Sequence, residues 1–170
     1  MTRRPITKRV AVVAAGALVA VGTFAAGVGV AGPEKEGSSG KKPTKAEIAA
    51  LFDGWNAALQ TRDPETVTER YADDAVLLPT VSNKVRTDHA GIEDYFEHFL
   101  LNKPVGKKIE THINILDNNS ALDTGVYEFT LTDPDTGAKR LVEARYTYEY
   151  EKRNGEWKIV NHHSSAMPEG

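Results

Sequence analysis

Ile48, Leu51, Phe52, Trp55 and Leu59 recur at steps of three and four, which predicts an amphipathic helix over 44–61. Thr44 and Glu47 at its start have the spacing of a capping box. Asp63-Pro64 offers an N-cap followed by a proline at the first helical position, so a short second helix should follow and turn Val67 and Tyr71 inward. Residues 75–78 form an apolar run closed by Pro79, short enough for a strand, and 80–86 reads as a polar loop. Ile92, Tyr95, Phe96, Phe99 and Leu100 predict a third helix, capped by Thr87 or Asp88 and ended by Asn102, Lys103 and Pro104. Beyond it the period falls to two. Ile109, Thr111, Ile113 and Ile115 alternate with polar residues, and 122–131, 141–151 and 157–165 read as three more long strands. Turn residues at 117–120, 133–137 and Asn154-Gly155 separate them. In 141–151, Val142, Ala144, Tyr146, Tyr148 and Tyr150 share one face, while Glu143, Arg145, Thr147 and Glu149 share the other. A tyrosine ladder of that size must be covered, by the helices or by a second subunit. Helices followed by about four antiparallel strands make an α+β fold. A sheet bent over the first helix closes into a cone whose open end is a default ligand site.

The first 31 residues follow another pattern. Arg3, Arg4, Lys8 and Arg9 precede the uncharged, Ala-, Val- and Gly-rich stretch 10–31. A basic segment followed by an apolar one is the pattern of a secretory signal peptide. Gly29-Val30-Ala31, or else Ala25-Ala26-Gly27, puts small residues where signal peptidase needs them. The paired arginines at 3 and 4 resemble a twin-arginine motif, with Thr7 departing from it, so export through either the Sec or the twin-arginine route is expected. The stretch is long enough to cross a bilayer, but Leu18 and Phe24 are its only large apolar side chains, which favours cleavage over anchoring. A membrane is a partner only if the signal stays uncleaved. Residues 32–42 read as a flexible linker and 43–168 as the domain. Without residues 1–31 the chain holds 17 basic against 24 acidic residues, a formal charge of −7, which repels phosphate backbones and argues against nucleic acid. The chain has no cysteine, which excludes disulfides, thiolate catalysis and cysteine-held metals.

Three stretches carry a resemblance. They are 55–59 with 71–79, then Asp94-Tyr95-Phe96-Glu97, then 144–147 running through 155–165. Together they resemble the association domain of calcium/calmodulin-dependent protein kinase II in its free-standing bacterial form, a branch of the nuclear transport factor 2-like (cystatin-like) superfamily. The resemblance implies a conical α+β domain that self-associates, most simply as a homodimer, through the outer face of its sheet. It also implies a pocket for a small molecule lined by polar and basic residues. It does not imply kinase activity, because no Gly-rich loop, strand lysine or metal-binding aspartate set is present. No basic amphipathic calmodulin-binding helix stands outside the signal region, so calmodulin enters only through the family's label.

Arg145 is the leading site candidate. The resemblance implies that an arginine at this position faces the pocket and grips a carboxylate-bearing ligand, as a guanidinium can do with two parallel hydrogen bonds. A structural ion pair with Glu143 or Glu128 is the alternative. The mammalian domains place further arginines in the pocket, near the places where Glu128 and Ser164 stand here. Arg86 is expected at the cavity mouth, and Trp55, Tyr71 and Tyr95 as core or pocket wall. His162 and His163 are adjacent on a strand, so at most one faces the cavity; His112 lies on another strand. A second reading, after the ketosteroid isomerases and SnoaL-like cyclases of the superfamily, makes the chain a small acid/base enzyme, with His163 or His162 meeting Glu128 or Glu143 in one cavity. A third is a structural surface protein whose cavity is closed by core packing. No metal site and no cofactor is expected: His89 and His98 read as solvent-facing, Asp73-Asp74 as a turn, and no nucleotide fingerprint occurs.

Overall fold

The computed structural model describes residues 40–169. The expected signal peptide and almost all of the expected linker lie outside the described residues. No helix among the described residues is long and apolar enough to cross a membrane.

Helix α1 spans Lys45–Thr61 and buries Ile48, Phe52, Trp55, Ala58 and Leu59. Its capping box forms: the Glu47 amide donates to Thr44 Oγ1 at 3.2 Å, and the Thr44 amide donates to the Glu47 carboxylate at 2.6 Å. The Thr44 amide, and the Thr44 hydroxyl that donates to the same carboxylate at 2.8 Å, hold the Glu47 carboxyl below its usual pKa. Helix α2, Pro64–Thr68, starts on the Asp63 carboxylate, which accepts from the Glu65 amide at 3.2 Å. Helix α3, His89–Phe99, is capped by Asp88 and ends in a 3-10 turn, Leu100–Asn102.

Five strands form one curved, unclosed sheet: β1 Tyr71–Leu78, β2 Val105–Ile115, β3 Ser120–Thr132, β4 Lys139–Arg153 and β5 Glu156–Ala166. Their spatial order is β1-β5-β4-β3-β2. Strands β2 to β5 form the expected antiparallel meander, and β4 and β5 join through Asn154 and Gly155, both at positive φ, as a tight hairpin requires. Strand β1 is longer than the apolar run suggested. It takes in Asp73 and Asp74, which are strand residues facing water, and pairs in parallel with β5.

The helices cover one face of the sheet, and the tyrosine ladder lies beneath them. Tyr146, Tyr148 and Tyr150 are all buried, and with Phe52, Trp55, Phe96, Tyr127 and Phe129 they form an aromatic interior. Trp55 sits at its centre, its ring 5.7 Å from Tyr148, 6.2 Å from Phe129 and 5.5 Å from the imidazole of His162. A bulge interrupts β2 between Lys108 and Glu110. It reverses the parity expected there: Ile109 is half exposed and Lys108 turns inward over the Phe52 ring. The Glu110 carbonyl then lies so close to Gly125 that a Cβ at that position would approach it to 1.9 Å, so only glycine fits.

Candidate functional site

A pocket opens between α1, α3 and the inner faces of β3, β4 and β5. Its wall is formed mainly by Trp55, Tyr95, Phe96, Phe99, Phe129 and Val142, with Pro79, Thr80 and Val81 at the segment after β1. The cavity measures about 40 Å³. That is room for a few waters, well short of the hundreds of Å³ of a drug-sized site. Counted up to the surrounding atoms and with the open solvent at the mouth included, the empty space is about 500 Å³. Among the described residues, no lining side chain is an acid, a lysine or an arginine.

The polar groups of the pocket form one continuous line. Trp55 Nε1 donates to Tyr71 Oη at 3.1 Å, and Tyr71 Oη lies 2.9 Å from His162 Nδ1. His162 Nε2 lies 3.5 Å from Tyr127 Oη, which donates to Ser164 Oγ at 2.5 Å, and Ser164 in turn bonds Thr80 Oγ1. Period two on β5 turns both His162 and Ser164 inward. Burial in this aromatic surround pushes the His162 imidazole down to about 3, with His163 adding a smaller push, so His162 is neutral. Burial also raises the Tyr71 and Tyr127 phenols well above their ordinary value.

A second polar cluster lies under α1 on the β2 side. Asp123 is fully buried, with one carboxylate oxygen 2.9 Å from Lys108 Nζ and the other accepting from Tyr146 Oη at 2.9 Å. Lys108 also donates to the Ala49 carbonyl at 3.2 Å. Asp123 shares the inward parity of Ala121, Tyr127 and Phe129 on β3, whereas Lys108 carries no such signal, because the β2 bulge turns it inward.

The structure corrects several site expectations. Arg145 is exposed on the outer face, because Ala144 and Tyr146 on either side of it fill the interior and successive strand residues point opposite ways. Its expected carboxylate grip inside the cone is therefore absent, and it has no ion-pair partner among the described residues, Glu143 and Glu128 included. Glu128, Glu143 and His163 face outward with it, so the acid/base pairing of a histidine with either glutamate does not assemble. His112 is exposed and pairs with Glu110 at 2.7 Å. Arg86 is buried against α3, bonded to Asp94 and to the Gly91 carbonyl at 3.2 Å, and does not line the pocket. That bond holds the Asp94 carboxyl low. Trp55 and Tyr95 do line the pocket, and Tyr71 stands behind His162 as its partner. Thr80 and Tyr127 were not anticipated; Tyr127 shares strand parity with Phe129 and Leu131, a signal the pattern did offer. Asp94, Glu97 and His98 cluster on the exposed side of α3, where His98 Nδ1 is already engaged by the Asp94 carbonyl.

The profile of the calcium/calmodulin dependent protein kinase II association domain matches residues 44–168. The chain belongs to that family. A solved Xanthomonas campestris protein assigned to the same association domain is 55% identical, with a TM-score of 0.73 over 78% of this chain and 97% of that one. A nuclear transport factor 2-like protein of unknown function from Pseudomonas putida is 20% identical, with a TM-score of 0.61 over 72% of this chain and 86% of that one. A ketosteroid isomerase-like protein from Erwinia carotovora is 17% identical, with a TM-score of 0.60 over 72% and 95%. The last two likenesses are of fold. No curated protein matches the sequence.

Proposed function

We propose that this association domain is exported, assembles with copies of itself through the outer face of its sheet, and holds a small ligand in its cone. The observation that carries the assembly reading is the unpaired charge on that face. Arg145 stands in mid-sheet between Val126 and Ser165 on the neighbouring strands, without an ion-pair partner among the described residues. Glu128 and Glu143 lie directly opposite each other one row away, an arrangement that like charges disfavour. A two-fold axis lying in the plane between two such faces would bring the Arg145 of each copy to the other's carboxylates. Val126 beside Arg145, and Thr124, Thr147 and Leu122 in the rows beyond it, are short or apolar and suit close approach. The family supports self-association, and the N-terminal pattern supports export.

The test is sedimentation at micromolar concentration. A dimer or larger assembly is expected, with Arg145→Glu raising the dissociation constant at least about tenfold through like-charge contact. A wild-type protein that sediments only as monomer overturns the assembly reading. Intact mass of protein recovered outside the cytoplasm should show residues 1–31 removed; an intact Met1 there overturns cleavage.

A further inference from the structure

The order of donors along the buried line fixes what the pocket can recognise, given the reading that the cone holds a ligand. Indole Nε1 of Trp55 is a donor only. Its bond to Tyr71 Oη therefore occupies an acceptor site of the phenol, and His162 Nδ1, 2.9 Å away, is the acceptor available for the phenol's own proton. With Nδ1 accepting, neutral His162 carries its proton on Nε2, which faces Tyr127 Oη. Tyr127 then donates to Ser164, and since Thr80 Oγ1 is the one acceptor within reach of the buried Ser164 proton among the described residues, Ser164 donates to Thr80 Oγ1. Every member of the line thus donates in the same direction, from the Trp55 core to the rim. Bonds aligned in this way polarise one another and strengthen the last donor. Thr80 is partly exposed at the mouth, and its hydroxyl proton is the one left over.

We infer that the pocket is selective for a small neutral compound with an apolar body and one hydrogen-bond acceptor, a ketone or other uncharged carbonyl, whose oxygen accepts from Thr80 Oγ1. The enclosed part has room for only a few waters, so the apolar body lies largely in the open part of the pocket, against the wall formed by Trp55, Phe96, Phe99, Phe129 and Val142. A carboxylate would enter a pocket that offers it no cation, and an ammonium one that offers it no anion, so each would lose its hydration without compensation.

The test uses four probes of one shape: cyclohexanone, cyclohexanecarboxylate, cyclohexylammonium and methylcyclohexane. Binding to the full chain is followed by amide NMR shifts at Thr80, Val142 and Ser164, with sedimentation run on the same samples. Cyclohexanone is expected to bind about tenfold more tightly than either ion, and Thr80→Val to reduce its affinity to that of methylcyclohexane. Thr80→Ser, which keeps the hydroxyl, should restore it. Carboxylate or ammonium binding as tight as the ketone's overturns the selectivity and leaves the ligand reading standing. Ketone binding unchanged in Thr80→Val overturns the terminal-donor assignment. Failure of all four probes to shift these amides overturns the ligand reading as well, and sedimentation reports self-association independently of it.

Discussion

Under α1 the aromatic interior contains a full ion pair, Lys108 with Asp123, closed off by Tyr146 and the Ala49 carbonyl; on the β5 side it contains the neutral line from Trp55 to Thr80, which ends at a cavity. Both clusters spend several polar groups in a core that could have been wholly apolar, but they solve desolvation differently. The ion pair satisfies each charge with the other, so it has nothing left to offer a visitor. The neutral line contains no charge, and its groups need only one donor and one acceptor each. It can therefore run the depth of the core and present its last hydroxyl at the mouth. A charged group in a dry interior is kept by closure, whereas a neutral relay can afford an open end.

The strongest way to break the comparison is to open the closed cluster. Asp123→Ala leaves Lys108 without its carboxylate and Tyr146 without its acceptor, and should cost about 3 kcal/mol in urea denaturation. Replacing Lys108 by Met and Asp123 by Leu together should recover most of that loss. If the single replacement costs no more than the double one, the pair is not acting as a buried charge pair.

A smaller effect sharpens the neutral side. The His162 imidazole titrates near 3 in the folded protein, against an ordinary value of 6.5. Between those two values the unfolded chain binds the proton and the folded chain does not. Stability is therefore flat above about pH 6.5 and falls as pH drops below it, by up to about 1.4 kcal/mol per pH unit. From pH 6.5 to 5 this amounts to about 2 kcal/mol in urea melts. His162→Gln lowers the starting stability but should remove the slope over that interval. A slope that survives in His162→Gln assigns it to another group.

The smallest effect lies outside the core. Glu143→Gln relieves the like-charge pair with Glu128 and should change monomer stability by no more than about 0.5 kcal/mol. If Glu143 meets Arg145 of a second copy, the same change weakens assembly several-fold in sedimentation, which separates a surface repulsion from an interface contact.

Much of the fold was legible because its causes are local. The capping box at Thr44, the proline after Asp63, the steps of three and four through Trp55 and the positive-φ turn at Asn154-Gly155 each act over a few residues. Parity on β4 was legible too: with Tyr146, Tyr148 and Tyr150 on the face that must be buried, Arg145 had to face out. Its assignment to the pocket came from the family resemblance and ran against that alternation.

What the sequence by itself determined is therefore the order of elements, their caps and which side of β3 and β4 carries the apolar weight, since these follow from hydrogen bonding and side-chain spacing along one segment. Tertiary structure decided the rest: the parallel pairing of β1 with β5, the bulge that turns Lys108 in toward Asp123, and the meeting of Thr80 with Ser164 across 84 positions of chain. These depend on where curved strands end relative to one another, a quantity that no local pattern of residues encodes.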